Sequence, residues 1–230
     1  MNNIKNKMKY FSRGELAVWL SSLFLIVASF CLFDRSNYFT FAASLIGVTA
    51  LIFCAKGNPF GQVLMIIFCL FYAFISYTFS YYGEMITYLG MSAPMAVFAL
   101  ISWLRNPYEG NKSEVKVNRI KRGEIAFMLL LTAGVTIVFY FVLSLLGTAN
   151  IFVSTFSVTT SFMAVYLTFR RSPFFALAYA LNDIVLMVLW ALASMADISY
   201  ISVVVCFAVF LINDIYGFIS WLKMGKRQGI

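Results

Sequence analysis

The sequence predicts an all-α integral membrane protein with eight transmembrane helices and both termini in the cytoplasm. Three observations carry that prediction. Of 230 residues, 62% are hydrophobic and 11% are charged, less than half the charged share of a soluble domain. The apolar residues fall into eight runs, each close to the ~20 residues that a helix needs to cross a bilayer. Finally, when eight spans alternate across the membrane, 16 of the 17 Lys and Arg residues fall on one side, as cytoplasmic segments require. A soluble enzyme, a disordered chain and a secreted disulfide scaffold are excluded by composition alone.

The spans are read at residues 15–33, 38–55, 60–81, 86–104, 124–146, 151–169, 173–195 and 200–222. The first follows a basic start, but no small-residue cleavage site comes after Phe33, so it reads as a retained helix rather than a signal peptide. Asn58-Pro59 and Ser172-Pro173 open the third and seventh spans. Proline in a first helical turn costs little, because its missing N–H has no intrahelical partner there.

The cytoplasmic segments so defined hold Lys5, Lys7, Lys9 and Arg13, then Lys56, then a basic stretch from Arg105 to Arg122, then Arg170 and Arg171, then Lys223, Lys226 and Arg227. Only Arg35 lies outside, accompanied by the acids Asp34, Glu84 and Asp197. Removing or adding one span destroys this split. The net charge of +8 is therefore explained by topology. The loop at 105–123 is basic but has no aromatic residue beyond Tyr108, so no nucleic-acid partner is expected. The chain has no His, and Cys31, Cys54, Cys69 and Cys206 lie in apolar stretches without a Cys-x-x-Cys spacing. No metal site, cofactor or disulfide is expected.

The two halves echo each other. Ser12-Arg-Gly-Glu-Leu-Ala17 recurs as Lys121-Arg-Gly-Glu-Ile-Ala126, Pro59-Phe60 as Pro173-Phe174, and Ile101-Ser-Trp-Leu104 as Ile219-Ser-Trp-Leu222. The offsets of 109, 114 and 118 drift slowly, as small loop insertions produce. Four spans per half make the repeat parallel, with a pseudo-two-fold axis along the membrane normal. Repeats of this kind are typical of transporters whose substrate sits near the midplane.

Charged side chains at membrane depth are costly and need a reason. Asn182-Asp183 and Asn213-Asp214 lie near the middle of the seventh and eighth spans. Helical spacing groups Tyr179 and Trp190 with the first pair and Tyr216 with the second. One reading is a shared cavity for a flat polar solute, in which amides and carboxylates bond hydroxyls and aromatic faces hold a ring cation. The other is glue, with both pairs hydrogen-bonded to neighbouring helices. In the first half, Gln62 and Tyr72 line the path in the same sense, and Glu84 sits at the outer mouth. Trp19, Trp103 and Trp221 lie near span ends and are expected in the interfacial aromatic belt. No cation lies at mid-depth to meet a phosphate dianion, which favours a nucleoside-like or vitamin-like solute over a nucleotide.

The stretch Gly83-Glu-Met-Ile-Thr-Tyr-Leu-Gly-Met-Ser-Ala-Pro-Met95, the string Ile101-Ser-Trp-Leu-Arg-Asn-Pro107, the segment 179–190 and Asn213-Asp-Ile-Tyr-Gly-Phe-Ile-Ser-Trp221 resemble the PnuC family of bacterial vitamin transporters. The likeness covers about residues 38–222. It implies uptake of nicotinamide riboside across the bacterial inner membrane by facilitated diffusion, with a cytoplasmic kinase trapping the product. It also implies a SWEET-like fold and a homotrimer. The two three-helix bundles would be residues 38–104 and 149–230, joined by the loop and linker helix at 105–148, with 1–37 as an extra N-terminal helix. Many members carry Trp-x-x-Trp-x-x-x-Asn in the helix matching the seventh span. Here Asn182 is kept while Phe175 and Ala178 stand at the tryptophan positions, leaving Tyr179 or Trp190 to supply the stacking face. The family also includes carriers of thiamine, riboflavin and deoxynucleosides.

The rival from another class is an intramembrane aspartyl enzyme using Asp183 and Asp214 as an acid/base pair. A further alternative is a capture subunit that needs an energising partner.

Overall fold

The computed structural model describes residues 10–78, 81–148 and 150–230. Lys5, Lys7, Lys9, the end of the third predicted span at residues 79 and 80, and the bundle boundary at residue 149 lie outside the described residues. Eight helices are long and apolar enough to cross a membrane.

Local chemistry sets the helix ends. Helix α1 (Arg13–Phe33) opens with a capping box: Ser12 Oγ accepts from the Glu15 N–H at 3.2 Å, and Glu15 Oε2 accepts from the Ser12 N–H at 2.7 Å. Helix α2 (Tyr38–Ala55) is capped by Asn37, which accepts from the Thr40 N–H at 3.1 Å. It ends at Gly57, whose φ of 65° suits a residue without a Cβ. Helix α3 is Phe60–Thr78. Helix α4 (Tyr82–Leu104) contains a widened π-turn at Tyr88–Ser92, just ahead of Pro94. It starts four residues earlier than predicted, because Gly83 lets its first turn press on Leu143 and Thr148 at the end of α5. Glu84 is therefore inside the helix and only 2% exposed, not in an outer loop. A short hairpin, β1 (Pro107–Tyr108) and β2 (Asn111–Val115), follows. Helices α5 (Arg122–Leu145), α6 (Ile151–Phe169), α7 (Phe174–Ser194) and α8 (Ile201–Arg227) complete the chain. Helix α8 runs five residues past the predicted end, carrying Lys226 and Arg227 in its last turn, where cations meet the negative end of the helix dipole.

Six helices close a ring by successive contacts, in the order α2, α3, α4, α6, α7, α8 and back to α2. Helix α1 lies outside α2 and α8, and α5 lies outside α6. With little hydrophobic drive between helices in lipid, close approach and polar contacts hold such a ring. Gly47 of α2 packs so tightly on Phe68 and Phe210 that a Cβ there would overlap the Phe210 ring.

The repeated motifs hold equivalent positions. Glu15 pairs with Lys56 at 3.0 Å, just past α2, and Glu124 pairs with Arg170, just past α6. The two tryptophans of the Ile-Ser-Trp-Leu repeats are fully buried rather than interfacial. Trp103 Nε1 donates to the Thr168 carbonyl at 2.9 Å, and Trp221 Nε1 donates to the Cys54 carbonyl at 2.8 Å. The indole N–H finds a partner in each case, so burial leaves no donor unsatisfied. Trp19 is half-buried, donating to Thr49 Oγ1 at 3.3 Å.

A strap seals the basic face. The Val115 N–H donates to the Gly57 carbonyl at 2.9 Å, and the Asn118 N–H donates to the Arg171 carbonyl at 3.0 Å. Gln228 Oε1 accepts from the Val117 N–H at 2.8 Å. Val115 and Val117 are buried against Trp103, Trp221 and Met224. The strap thus touches the left-handed corners of both halves, Gly57 and Arg171.

Candidate functional site

At the centre of the ring, α3 and α7 meet through one hydrogen bond, from Trp190 Nε1 to Tyr72 Oη at 2.7 Å. The α4 π-turn brings the Tyr88 ring to 4.3 Å from that of Tyr72. Trp190 is flanked by Tyr81 at 5.0 Å and Tyr200 at 5.5 Å, and Phe207 lies 5.9 Å from Tyr72. The rings form an aromatic plug in which Trp190 is 1% and Tyr72 5% exposed. Glu84 is within electrostatic range of both Tyr72 and Tyr88.

Toward the basic face the Asn-Asp pairs begin. Successive residues of a helix point about 100° apart, and each pair splits accordingly. Asn182 turns to α6, where its Oδ1 accepts from Thr160 Oγ1 at 2.7 Å and Ser161 Oγ at 3.0 Å. Asp183 turns to α8, where its carboxyl group neighbours that of Asp214. Asn213 turns away to α1, donating to Ser22 Oγ at 2.8 Å and to the Val209 carbonyl at 2.8 Å. Tyr216, three residues on, follows the same face toward Ser12. In this conformation Asn213 and Tyr216 lie on the α1-facing side of α8. Tyr179 shares the α6 side with Asn182, near Thr168, while Asp183 diverges from both. Gln62 is 3% exposed and donates from Nε2 to Cys54 Sγ at 3.4 Å.

The centre is closed in this conformation. The cavity beside the Tyr72–Trp190 bond, bounded by Thr40, Ser44, Phe68 and Cys206, measures about 10 Å³, at the threshold for a single water. Thr40 Oγ1, in its wall, has no hydrogen-bond partner, and neither do the buried Ser76 Oγ, Glu84 Oε2 and Asp183 Oδ2 elsewhere in the bundle. Unsatisfied buried polar atoms are expensive, and these retain the capacity to bond a polar guest. Sequence reasoning did not single out Tyr88, Thr160 and Ser161 here. Tyr88 follows Glu84 by one turn, so helical spacing was the available signal.

Chemically the site offers aromatic faces, hydroxyls, an amide and carboxyl groups. The described Lys and Arg side chains lie beyond the helix ends or in their terminal turns. Comparison with solved structures finds the crystal structure of the vitamin B3 transporter PnuC, at TM-score 0.82 and 23% identity, covering 95% of this chain and 94% of that one. The fold is that of this multi-pass membrane protein, with eight membrane-capable helices. The family described as "Nicotinamide mononucleotide transporter" matches residues 37–223, and the chain belongs to this PnuC family. One curated relative is the nicotinamide riboside transporter PnuC of Neisseria mucosa, 27% identical over 217 residues, which are 92% of this chain and 82% of the relative. The rival reading as an acid/base dyad rests on the neighbouring carboxyl groups of Asp183 and Asp214. The family is nonetheless one of transporters, and the protein is not an enzyme.

Proposed function

We propose that this protein takes up nicotinamide riboside by facilitated diffusion across the bacterial inner membrane, with the basic face in the cytoplasm. The observation that carries the reading is the charge balance of the closed centre. Glu84 and Asp183 present unpartnered buried oxygens beside the rings of Tyr72, Tyr88 and Trp190, and no Lys or Arg side chain stands among them. Nicotinamide riboside is a flat pyridinium cation carrying neutral hydroxyls. Aromatic faces and carboxylates attract such a cation, and Asn182 suits its carboxamide or ribose. The mononucleotide adds a phosphate dianion that would find acidic neighbours here, so the riboside is favoured over the solute in the family's description.

In this reading Tyr72, Tyr88, Trp190, Glu84, Asn182, Asp183 and Asp214 form the central site. Gln62 and Tyr179 line the inner path, and Asn213 and Tyr216 hold α1 in place. The bundles of residues 38–104 and 149–230 rock about the centre, α5 links them, α1 is the extra helix, and three copies assemble. A cytoplasmic kinase that phosphorylates the riboside keeps the flux inward.

The test is uptake of labelled solute into proteoliposomes, with nicotinamide riboside, its mononucleotide, thiamine and riboflavin side by side. Saturable riboside uptake without an imposed ion gradient, strongly reduced by Asn182→Ala, is the expected result. Preference for another solute overturns the substrate, and unchanged uptake in Asn182→Ala overturns the site.

A further inference from the structure

Two cavities open at the basic face, and they differ in charge. The first, of about 400 Å³, is polar and holds acids with cations, including Glu15 with Lys56 and Glu114 with Arg227. The second, of about 590 Å³, lies between the start of α5, the α6–α7 corner and the end of α8. Its walls are mostly apolar, its charged lining side chains are Arg119 and Lys226, and no Asp or Glu side chain lines it. Neither cation is in an ion pair among the described residues, although Lys56, Arg170 and Arg227 at the same face each have a carboxylate.

This second cavity continues into the membrane. Leu167 and Phe174 line both it and a groove of about 480 Å³ that climbs the outer face of α7 between α6 and α8. The groove reaches Ile184. At 1.5 Å per residue, Phe174 to Ile184 spans about 15 Å, half of the ~30 Å hydrocarbon core. A cationic mouth at the interface and an apolar channel one leaflet deep have the dimensions and polarity of a single phospholipid.

We infer that this groove is a binding site for an anionic phospholipid, with the headgroup phosphate between Arg119 and Lys226 and an acyl chain along Leu177 and Ile184. The charge complementarity is specific. A zwitterionic headgroup gains less from two uncompensated cations, while each Lys or Arg near an anionic membrane surface is worth roughly a fivefold gain in binding.

The test uses the purified full-length protein in detergent, with lipid retention read by native mass spectrometry for phosphatidylglycerol and phosphatidylcholine. Wild type is expected to retain phosphatidylglycerol preferentially. The double variant Arg119→Gln/Lys226→Gln should retain it roughly 25-fold less and leave phosphatidylcholine unchanged. Leu177→Trp, which fills the groove at an exposed position, should reduce both lipids. Equal retention of the two lipids by wild type, or an unchanged double variant, overturns the inference. Displacement of the lipid by inorganic phosphate would make this a free-anion site, and efficient cross-linking of Leu181→Cys to a second copy would make it an interface. Either result overturns the inference as well.

Discussion

Trp103 and Trp221 meet with ring centroids 5.3 Å apart. Each donates its indole N–H to a carbonyl in the last turn of a helix from the other half: Trp103 to Thr168 of α6, Trp221 to Cys54 of α2. The two halves are thus cross-tied by matching bonds. Replacing either Trp by Phe keeps most of the packing and removes the donor. We expect a loss of about 1–2 kcal/mol from each, read as a fall of roughly 2–8 °C in the thermal midpoint in detergent. The two single variants should be similar, and the double variant should depart from additivity because the rings touch.

Tight packing between α2 and α8 predicts a contrast between glycines. A methyl group at Gly47 would overlap Phe210 and press on Phe68. Gly47→Ala should cost about 1–3 kcal/mol through overpacking. Gly134, mid-way along α5, has nothing within 4 Å of an added Cβ. Gly134→Ala should be neutral or stabilising by up to about 1 kcal/mol. Midpoints measured by light scattering or tryptophan fluorescence on heating would separate the two.

The proposed central site predicts a charge-specific effect on transport. Glu84→Gln keeps size and hydrogen-bonding capacity and removes a negative charge. It should raise the riboside KM roughly 10- to 100-fold, in the range for losing a charge-assisted contact. Glu15→Gln removes the same charge near the basic face, beside Lys56, and should leave the KM close to wild type. Equal effects from both would show that net charge, rather than position, controls the solute.

At the face opposite the strap, two acids titrate in opposite senses. Burial pushes the Asp34 carboxyl above its ordinary value, and nearby Asp197 adds to this. Asp197 itself is held below its ordinary value by the Ser199 backbone N–H, which it accepts at 2.9 Å. A raised carboxyl favours the protonated folded state, so the Asp34 contribution improves as pH falls through its folded pKa and worsens as pH rises. The depressed Asp197 contribution is present above its unfolded pKa and is lost as pH falls through the folded one. Asp34→Asn should therefore raise the thermal midpoint at neutral pH and reduce the gain otherwise seen on mild acidification. Melting curves across the acidic range, wild type against variant, check the sign.

Much of the fold is legible in the sequence because membrane helices obey a length rule and a charge rule at once. Tyr38–Ala55 and Ile151–Phe169 end where the apolar runs end. The start of α4 was misplaced because a close contact, Gly83 against α5, lets a helix extend into a segment that reads as polar loop. The buried tryptophans were misread for a related reason. Position near a span end suggests an interface only if no backbone carbonyl is within reach, and reach depends on the other half of the molecule. The Asn-Asp pairs were visible as unusual, yet their partners Thr160, Ser161 and Ser22 come from other helices. Which member of a pair turns inward follows from helix rotation, which sequence spacing alone leaves open.

The two ends of the helix ring are closed by different means. At the basic face the segment Val115–Asn118 is latched by main-chain bonds to Gly57 and Arg171, together with two buried valines whose exposure costs about 3–6 kcal/mol. At the opposite end stand the rings around Trp190, which need only swing about their side-chain torsions. In the transport cycle proposed above, the first closure would yield by unlatching a stretch of backbone and the second by turning side chains.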